Sequence, residues 1–269
     1  MNEKRIKESN KSLWKQWTLL HIKSSFYDVN GFKRGQNALK HIELSELGDV
    51  KGKSMLHLQC HFGIDSLCWS RLGAKVTGVD FCEEAIAFAR QLSDELKLDA
   101  KFVVSDIYEL NDELLSHEKF DIVFTSYGVI DWLPDLDRWA QIISRSLKSN
   151  GLFYIAEFHP LIRNFDDCCE KMVYDYGDQK MFEVEVQGSY AVKDSCIKAK
   201  EYTWNHSISE VINSLIKNGL IIEFYNEHMA SPYSICDNCV SDGHNNWYIR
   251  GFERKIPLVF SLMARKAAA

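Results

Sequence analysis

Between Lys53 and Phe158, short apolar runs alternate with stretches whose apolar residues fall at helical spacing. Met55–Leu58, Lys75–Val79, Phe102–Val104, 120–128 (FDIVFTSYG) and 152–158 (LFYIAEF) read as five strands. The fourth is almost continuously apolar, as expected of a strand covered on both faces. Ile64, Leu67, Cys68 and Leu72 share one helix face that ends at Gly73. Residues 83–97 turn Ile86, Ala89, Leu92 or Ser93, and Leu96 inward. A helix from Asp135 presents Leu136, Trp139, Ala140, Ile143 and Leu147, and is expected to end at Asn150-Gly151. Strands separated by helices pair in parallel, so the expected class is α/β with a doubly wound sheet.

Beyond residue 160 the rhythm changes. Within 161–206, MFEVEVQGSYAV and CIKAKEYTW alternate like antiparallel strands and predict an inserted hairpin or small sheet. Ser207 and Glu210 form a capping box. It opens a helix with Ile208, Val211, Ile212, Leu215 and Ile216 inward, closed by Gly219. LIIEFYNEH is a sixth strand, 229–256 a long loop, and PLVFSLMAR a seventh strand. Upstream, residues 10–24 place Leu13, Trp14, Trp17, Leu20 and His21 at helical spacing. The expected organisation is an N-terminal helical segment over 1–50, followed by one domain over 51–266.

Composition narrows the class further. Apolar residues make up 46% and charged residues 26% of the 269, as in a soluble globular protein. There is no apolar run long enough to cross a membrane. The N-terminus has no apolar signal region and carries Glu3 and Glu8, so a cytoplasmic location with reduced thiols is expected for the eight cysteines. Cys236 and Cys239 form a lone CxxC near His228 and His244; without a second pair, no metal site is expected. Residues 1–40 hold nine Lys/Arg against three Asp/Glu, a surplus of +6. The whole chain stands at −6, so the rest carries −12. A basic arm could touch nucleic acid. The body shows no basic stripe to follow a phosphate backbone, so neither a nucleic-acid nor a membrane partner is expected.

The loop after the first strand carries the chemistry. In MLHLQCHFGIDSL, Gln59, Cys60 and His61 stand where a dinucleotide fold would place small residues, and only Gly63 remains. Pyrophosphate needs bare backbone at a helix N-terminus, so this is a poor dinucleotide site. Asp80 nevertheless ends the second strand, where a carboxylate can accept two hydrogen bonds from a ribose diol. Asp106 follows the third strand, where it could accept from an adenine amine. A ligand with an adenosine but no pyrophosphate fits, and S-adenosylmethionine is such a ligand.

On LHLQCHFG, VTGVD, Ser105-Asp106, FDIVFTSYGVIDWL and LKSNGLFYIAEF, the chain resembles the class I S-adenosylmethionine-dependent methyltransferases. The resemblance is strong over about residues 51–160 and extends over 200–266 in topology. It implies a seven-stranded, mostly parallel Rossmann-like sheet whose last strand is antiparallel, lying between the fifth and sixth. His57 departs from the pattern by replacing the usual acidic residue of the first strand. The expected cofactor contacts are Gln59, Cys60, His61, Gly63, Asp80, Phe81, Asp106, Ile107, Ser126 and Tyr127.

Acceptor-side groups are expected from segments emerging at the ends of strands four to six: Asp131, Trp132, Glu157, Tyr190, His206 and Trp247, with Trp204, Tyr233, His244 and Tyr248 nearby. His159 and Tyr127 are the candidate catalytic groups, His159 as a base or else as a cap on the strand end. The expected reaction is in-line methyl transfer to a small molecule. The alternative is a regulatory or assembly module that binds the same cofactor without catalysis.

Overall fold

The computed structural model describes residues 3–110, 119–178 and 180–268. Helices α1 (Glu3–His21), α2 (Val29–Lys33) and α3 (His41–Leu47) precede the sheet. The alternating region supplies β1 (Ser54–Leu58), α4 (Ile64–Arg71), β2 (Lys75–Asp80), α5 (Glu83–Leu96), β3 (Ala100–Val104), β4 (Phe120–Ser126), α6 (Leu136–Ser146) and β5 (Leu147–Phe158). There follow β6 (Met181–Gln187), β7 (Lys198–Trp204), α7 (Ile208–Lys217), β8 (Leu220–His228), β9 (Cys239–Ser241), β10 (Trp247–Ile249) and β11 (Val259–Lys266).

The main sheet has seven strands in the order β3-β2-β1-β4-β5-β11-β8. β11 runs antiparallel to both neighbours, and the β1, β2, β3, β4 and β5 pairings are parallel. Its two faces make two cores, because side chains alternate along each strand. Met55 packs with Phe32, Ile42, Leu67, Trp69, Ile86 and Phe124 under α2 to α5. Leu56 and Leu58 pack with Trp139, Ile143, Val211 and Leu215 under α6 and α7. Chain order reverses between β1 and β4. The C-terminal ends of these two strands therefore open a crevice, the place where doubly wound sheets bind ligands.

Three local expectations are corrected. α6 stops at Ser146, not at Asn150-Gly151; the chain is already extended at Leu147, and Asn150 at φ 61° turns it inside a register shift against β4. Ile216 of α7 is exposed, because the face set by Val211 and Leu215 leaves it turned outward. The 229–256 segment is not all loop, since β9 and β10 pair within it. The hairpin expected within 161–206 is β6–β7, paired from Met181↔Trp204 to Gln187↔Lys198. No helix among the described residues is long and apolar enough to cross a membrane.

α1 is bound to that hairpin by polar contacts. Asn10 imitates a strand residue: its Nδ2 donates to the Tyr202 carbonyl at 2.7 Å and its Oδ1 accepts from the Tyr202 amide at 2.9 Å. Trp17 Nε1 donates to the Gly188 carbonyl at 2.8 Å, and its ring is buried. Truncating such a side chain leaves both a void and an unpaired carbonyl. Trp17→Ala should therefore cost about 3 kcal/mol of stability, measured by urea unfolding. A loss below about 1 kcal/mol would show that α1 is not anchored through this ring.

Candidate active site at the strand ends

The loop after β1 keeps the backbone of a glycine-rich loop without its glycines. Gln59 (φ 54°), His61 (φ 51°) and Gly63 (φ 78°) all lie in the left-handed region. For residues with a Cβ this conformation costs about 1–2 kcal/mol each, so other contacts must hold it. Asp80, at the end of β2, accepts from the His61 amide at 2.8 Å and the Cys82 amide at 2.9 Å. Gln59 Nε2 crosses the crevice and donates to the Val129 carbonyl at 3.0 Å, joining the loop after β1 to the loop after β4. Gln59 Oε1 is buried without a partner. The Cys60 amide bonds the Val79 carbonyl, and its thiol lies against Gly78. A Cβ on Gly63 would come within 2.6 Å of Phe102, so glycine is required there by packing as well as by φ. Burial pushes the Asp80 carboxyl up to about 6, against the pull of its amide bonds.

Across the crevice, Ser126 ends β4 and Tyr127 turns the chain at φ 28°. Ser126 Oγ reaches Asp65 at 3.4 Å, and Tyr127 donates its hydroxyl to Glu43 at 3.1 Å. Glu43 also accepts from the Lys40 amide at 2.6 Å. Burial pushes the Glu43 carboxyl up to about 7. The Lys40 ammonium stands 4.5 Å over the Tyr233 ring, which packs on Tyr127. Glu157 accepts from the amides of Gly128, Val129, Ile130 and Phe158, so its oxygens shape the loop after β4.

Rings from α1 and the inserted hairpin cover the first loop. Trp14 meets His61 and Trp132 at 5.3 and 5.2 Å; His21 meets Tyr190 at 4.7 Å and both Tyr27 and His61 at 5.3 Å. His21 is fully buried, and its Nε2 has no partner. Three basic residues of α1 turn toward the domain. Lys7 pairs with Asp106 at 2.9 Å and with Glu109, Lys11 with Glu83 at 3.0 Å, and Lys15 with Glu84. Asp106 also accepts from the Tyr108 amide, which places buried Ile107 in a tight turn. Phe81 lies between the two residues that this clamp fixes, Asp80 and Cys82.

The remaining candidates lie in other settings. His159 accepts from the Leu161 amide through Nδ1 at 3.1 Å and faces Glu227 through Nε2 at 3.3 Å; burial lowers its pKa. It caps the turn after β5, with both ring nitrogens engaged. His206 is buried between the Leu133 carbonyl at 2.7 Å and Glu210 at 3.0 Å. Asp131 pairs with Arg163. Trp247 pairs its backbone with Ser231 in the β9–β10 segment. Trp204 and Tyr248 sit within β7 and β10. Cys236 and Cys239 bring their sulfurs to 3.6 Å in a small apolar cluster with Cys169. Among the described residues, no group of three or more His, Cys, Asp or Glu side chains is arranged to hold a metal. Sequence reading passed over Glu43, Asp65 and Lys40. Glu43 had one signal, the Lys40-x-x-Glu43 helix start.

A profile of methyltransferase domains matches residues 61–211. The chain belongs to this methyltransferase-domain family. A ubiquinone biosynthesis O-methyltransferase from Actinobacillus pleuropneumoniae is 25% identical over 148 residues, covering 53% of this chain and 63% of that protein. This chain thus spans under two thirds of that relative's length. A S-adenosylmethionine-dependent methyltransferase from Mesorhizobium loti superposes with a TM-score of 0.57 at 16% identity, over 87% of this chain and all of that one. Geranyl diphosphate C-methyltransferase from Streptomyces coelicolor A3(2) gives a TM-score of 0.55 at 13% identity, over 84% of this chain and 74% of that one. These likenesses are of fold.

The raised Glu43 pKa has a consequence for stability. Between about pH 4.5 and pH 7 the folded chain keeps a proton that the unfolded chain releases, so stability falls as pH rises through that window. The contribution of Glu43 is up to about 3 kcal/mol. Urea titrations at stepped pH should show the decline, and Glu43→Gln should make it shallower, the remainder coming from Asp80 and Glu157, whose carboxyls burial also raises. An unchanged slope in the variant would mean that Glu43 titrates normally.

Proposed function

We propose that the chain transfers a methyl group from S-adenosylmethionine to a small molecule. The observation that carries this reading is the loop after β1: three left-handed residues, 59, 61 and 63, held open by the Asp80 carboxylate at the reversal point of the sheet. Such a loop offers backbone and a carboxylate to a nucleoside but no cradle for pyrophosphate. The unpartnered buried Gln59 Oε1 and His21 Nε2 are further sites for ligand bonds.

When bound, the cofactor's sulfonium supplies an activated methyl group, so the protein's work is alignment and exclusion of water. Asp80 is placed to accept from a ribose diol with its remaining lone pairs. Asp106 is placed for an adenine amine once Lys7 shares or yields it. The Trp14, Trp132, His21 and Tyr190 rings close the site from above, so α1 and the 161–206 insertion serve as a lid. For an acceptor that must lose a proton, the Tyr127 hydroxyl can receive it while passing its own to an ionised Glu43, whose carboxyl burial pushes up to about 7. His159, with both nitrogens engaged, is a cap in this reading rather than the base.

A small acceptor is supported by two features. The segments at 161–206 and 229–256 bring Tyr190 and Tyr233 over the strand ends. Lys7, Lys11 and Lys15 of α1 are paired with carboxylates of the chain itself, which reduces the charge they offer a polyanion. The relatives named for ubiquinone and geranyl diphosphate methylation fit the same class.

Calorimetry should register S-adenosylhomocysteine binding and no NAD binding. Asp80→Ala should weaken the former by about 1.5–3 kcal/mol, and unchanged affinity would remove Asp80 from the site. Incubation with labelled cofactor and a metabolite pool should label a small product. Binding without any labelled product would favour the non-catalytic module.

A further inference from the structure

S-Adenosylmethionine ends in an amino acid, so a site that holds it must meet an ammonium and a carboxylate. Where this chain finds the negative charge for the ammonium is open, because position 57 cannot supply it. His57 is buried, its Nδ1 lies 2.8 Å from Ser66 Oγ, and burial keeps it neutral with a pKa near 3. Three other carboxylates around the crevice are already engaged. Asp80 holds the amides of His61 and Cys82, Glu157 holds four amides, and Glu43 holds the Lys40 amide and the Tyr127 hydroxyl.

Asp65 is different. It lies two residues beyond Gly63, in the first turn of α4, and faces the end of β4 across the crevice. Among the described residues its side chain meets one long hydrogen bond, from Ser126 Oγ at 3.4 Å. It lies within electrostatic reach of Tyr27, Glu43, Cys60 and Tyr233, and so stands centrally among the site's groups. Lys40 is the nearby cation: it faces Asp65 electrostatically, and its ammonium stands over Tyr233. Lys40 also borders a cavity of about 520 Å³, with Asn37, His41 and His244.

We propose that Asp65 and Lys40 form the receptor for the cofactor's amino-acid tail, Asp65 pairing with the ammonium and Lys40 with the carboxylate. The inference rests on the methyltransferase reading and adds to it a charge relocated by eight residues, from strand β1 to helix α4. A carboxylate at the start of a helix is itself favoured by the helix dipole, so the move is compatible with the fold. A zwitterionic receptor also selects: it binds the intact tail and gains nothing from a nucleoside that lacks one.

The test is calorimetry on the full chain with three probes. These are S-adenosylhomocysteine, its analogue with hydrogen in place of the ammonium, and 5′-methylthioadenosine, which has the nucleoside and thioether but no tail. Asp65→Asn should weaken S-adenosylhomocysteine binding about tenfold or more and leave 5′-methylthioadenosine within about twofold. Lys40→Met should likewise weaken the homocysteine ligand and spare 5′-methylthioadenosine. Equal losses for both ligands, or no loss for S-adenosylhomocysteine, would overturn the proposal while leaving the cofactor reading intact. If the wild type binds none of the probes, the cofactor reading falls and the tail receptor with it. Should Asp65→Asn fail to fold, the wild type still decides: the analogue without the ammonium should bind about tenfold more weakly, and equal affinity would exclude an anionic partner for that group.

Discussion

The candidate site depends on the Asp80 carboxylate. It sits at the end of a central strand, is buried, and uses one lone pair of each oxygen on a loop amide, that of His61 or that of Cys82. One of those amides belongs to His61, whose left-handed backbone is unfavourable on its own. The bond and the strain balance each other: without the carboxylate the loop has little reason to remain in that shape. Gln59 relies in the same way on the Val129 carbonyl. A glycine-rich loop gets its shape from backbone freedom, whereas this loop gets it from side-chain bonds. Its shape is therefore exposed to single substitutions in its neighbours.

The same crevice gathers acidic groups from distant parts of the chain. Glu43 comes from a short helix before the sheet, Asp65 from the helix after β1, and Glu157 from the end of β5. Removal from water raises the proton affinity of each. Their different surroundings suggest different work. Glu157 organises backbone, Glu43 is coupled to a tyrosine hydroxyl, and Asp65 is the least engaged of the three.

Much of this was legible in the sequence where physics is periodic. The five βα strands, the β6–β7 hairpin and the antiparallel last strand follow from apolar spacing and from the family pattern. Boundaries at 146–151 were misread because Asn150-Gly151 is a turn signal wherever it stands, and here it bends a strand instead of ending a helix. Asp80 was visible from its place at a strand end. What it binds in the chain itself, the amides of His61 and Cys82, was not. Asp65 and Glu43 gave little away, because a carboxylate in a first helical turn looks like an ordinary helix start. Only the tertiary fold shows that both turn toward Ser126 and Tyr127. The charge surplus of residues 1–40 pointed to no nucleic-acid partner in the absence of a basic stripe on the body, and Lys7, Lys11 and Lys15 of α1 pair with the chain's own carboxylates.

The Asn10 side chain continues the hydrogen bonding of β7 into α1, and Trp17 adds a second fastening at Gly188. Two segments separated by some 170 residues of chain are thereby made one mechanical body. An α1 fastened in this way cannot leave the domain without breaking its bonds to the hairpin or carrying the hairpin with it. Loss of either fastening therefore loosens a helix and a hairpin that lie far apart in sequence.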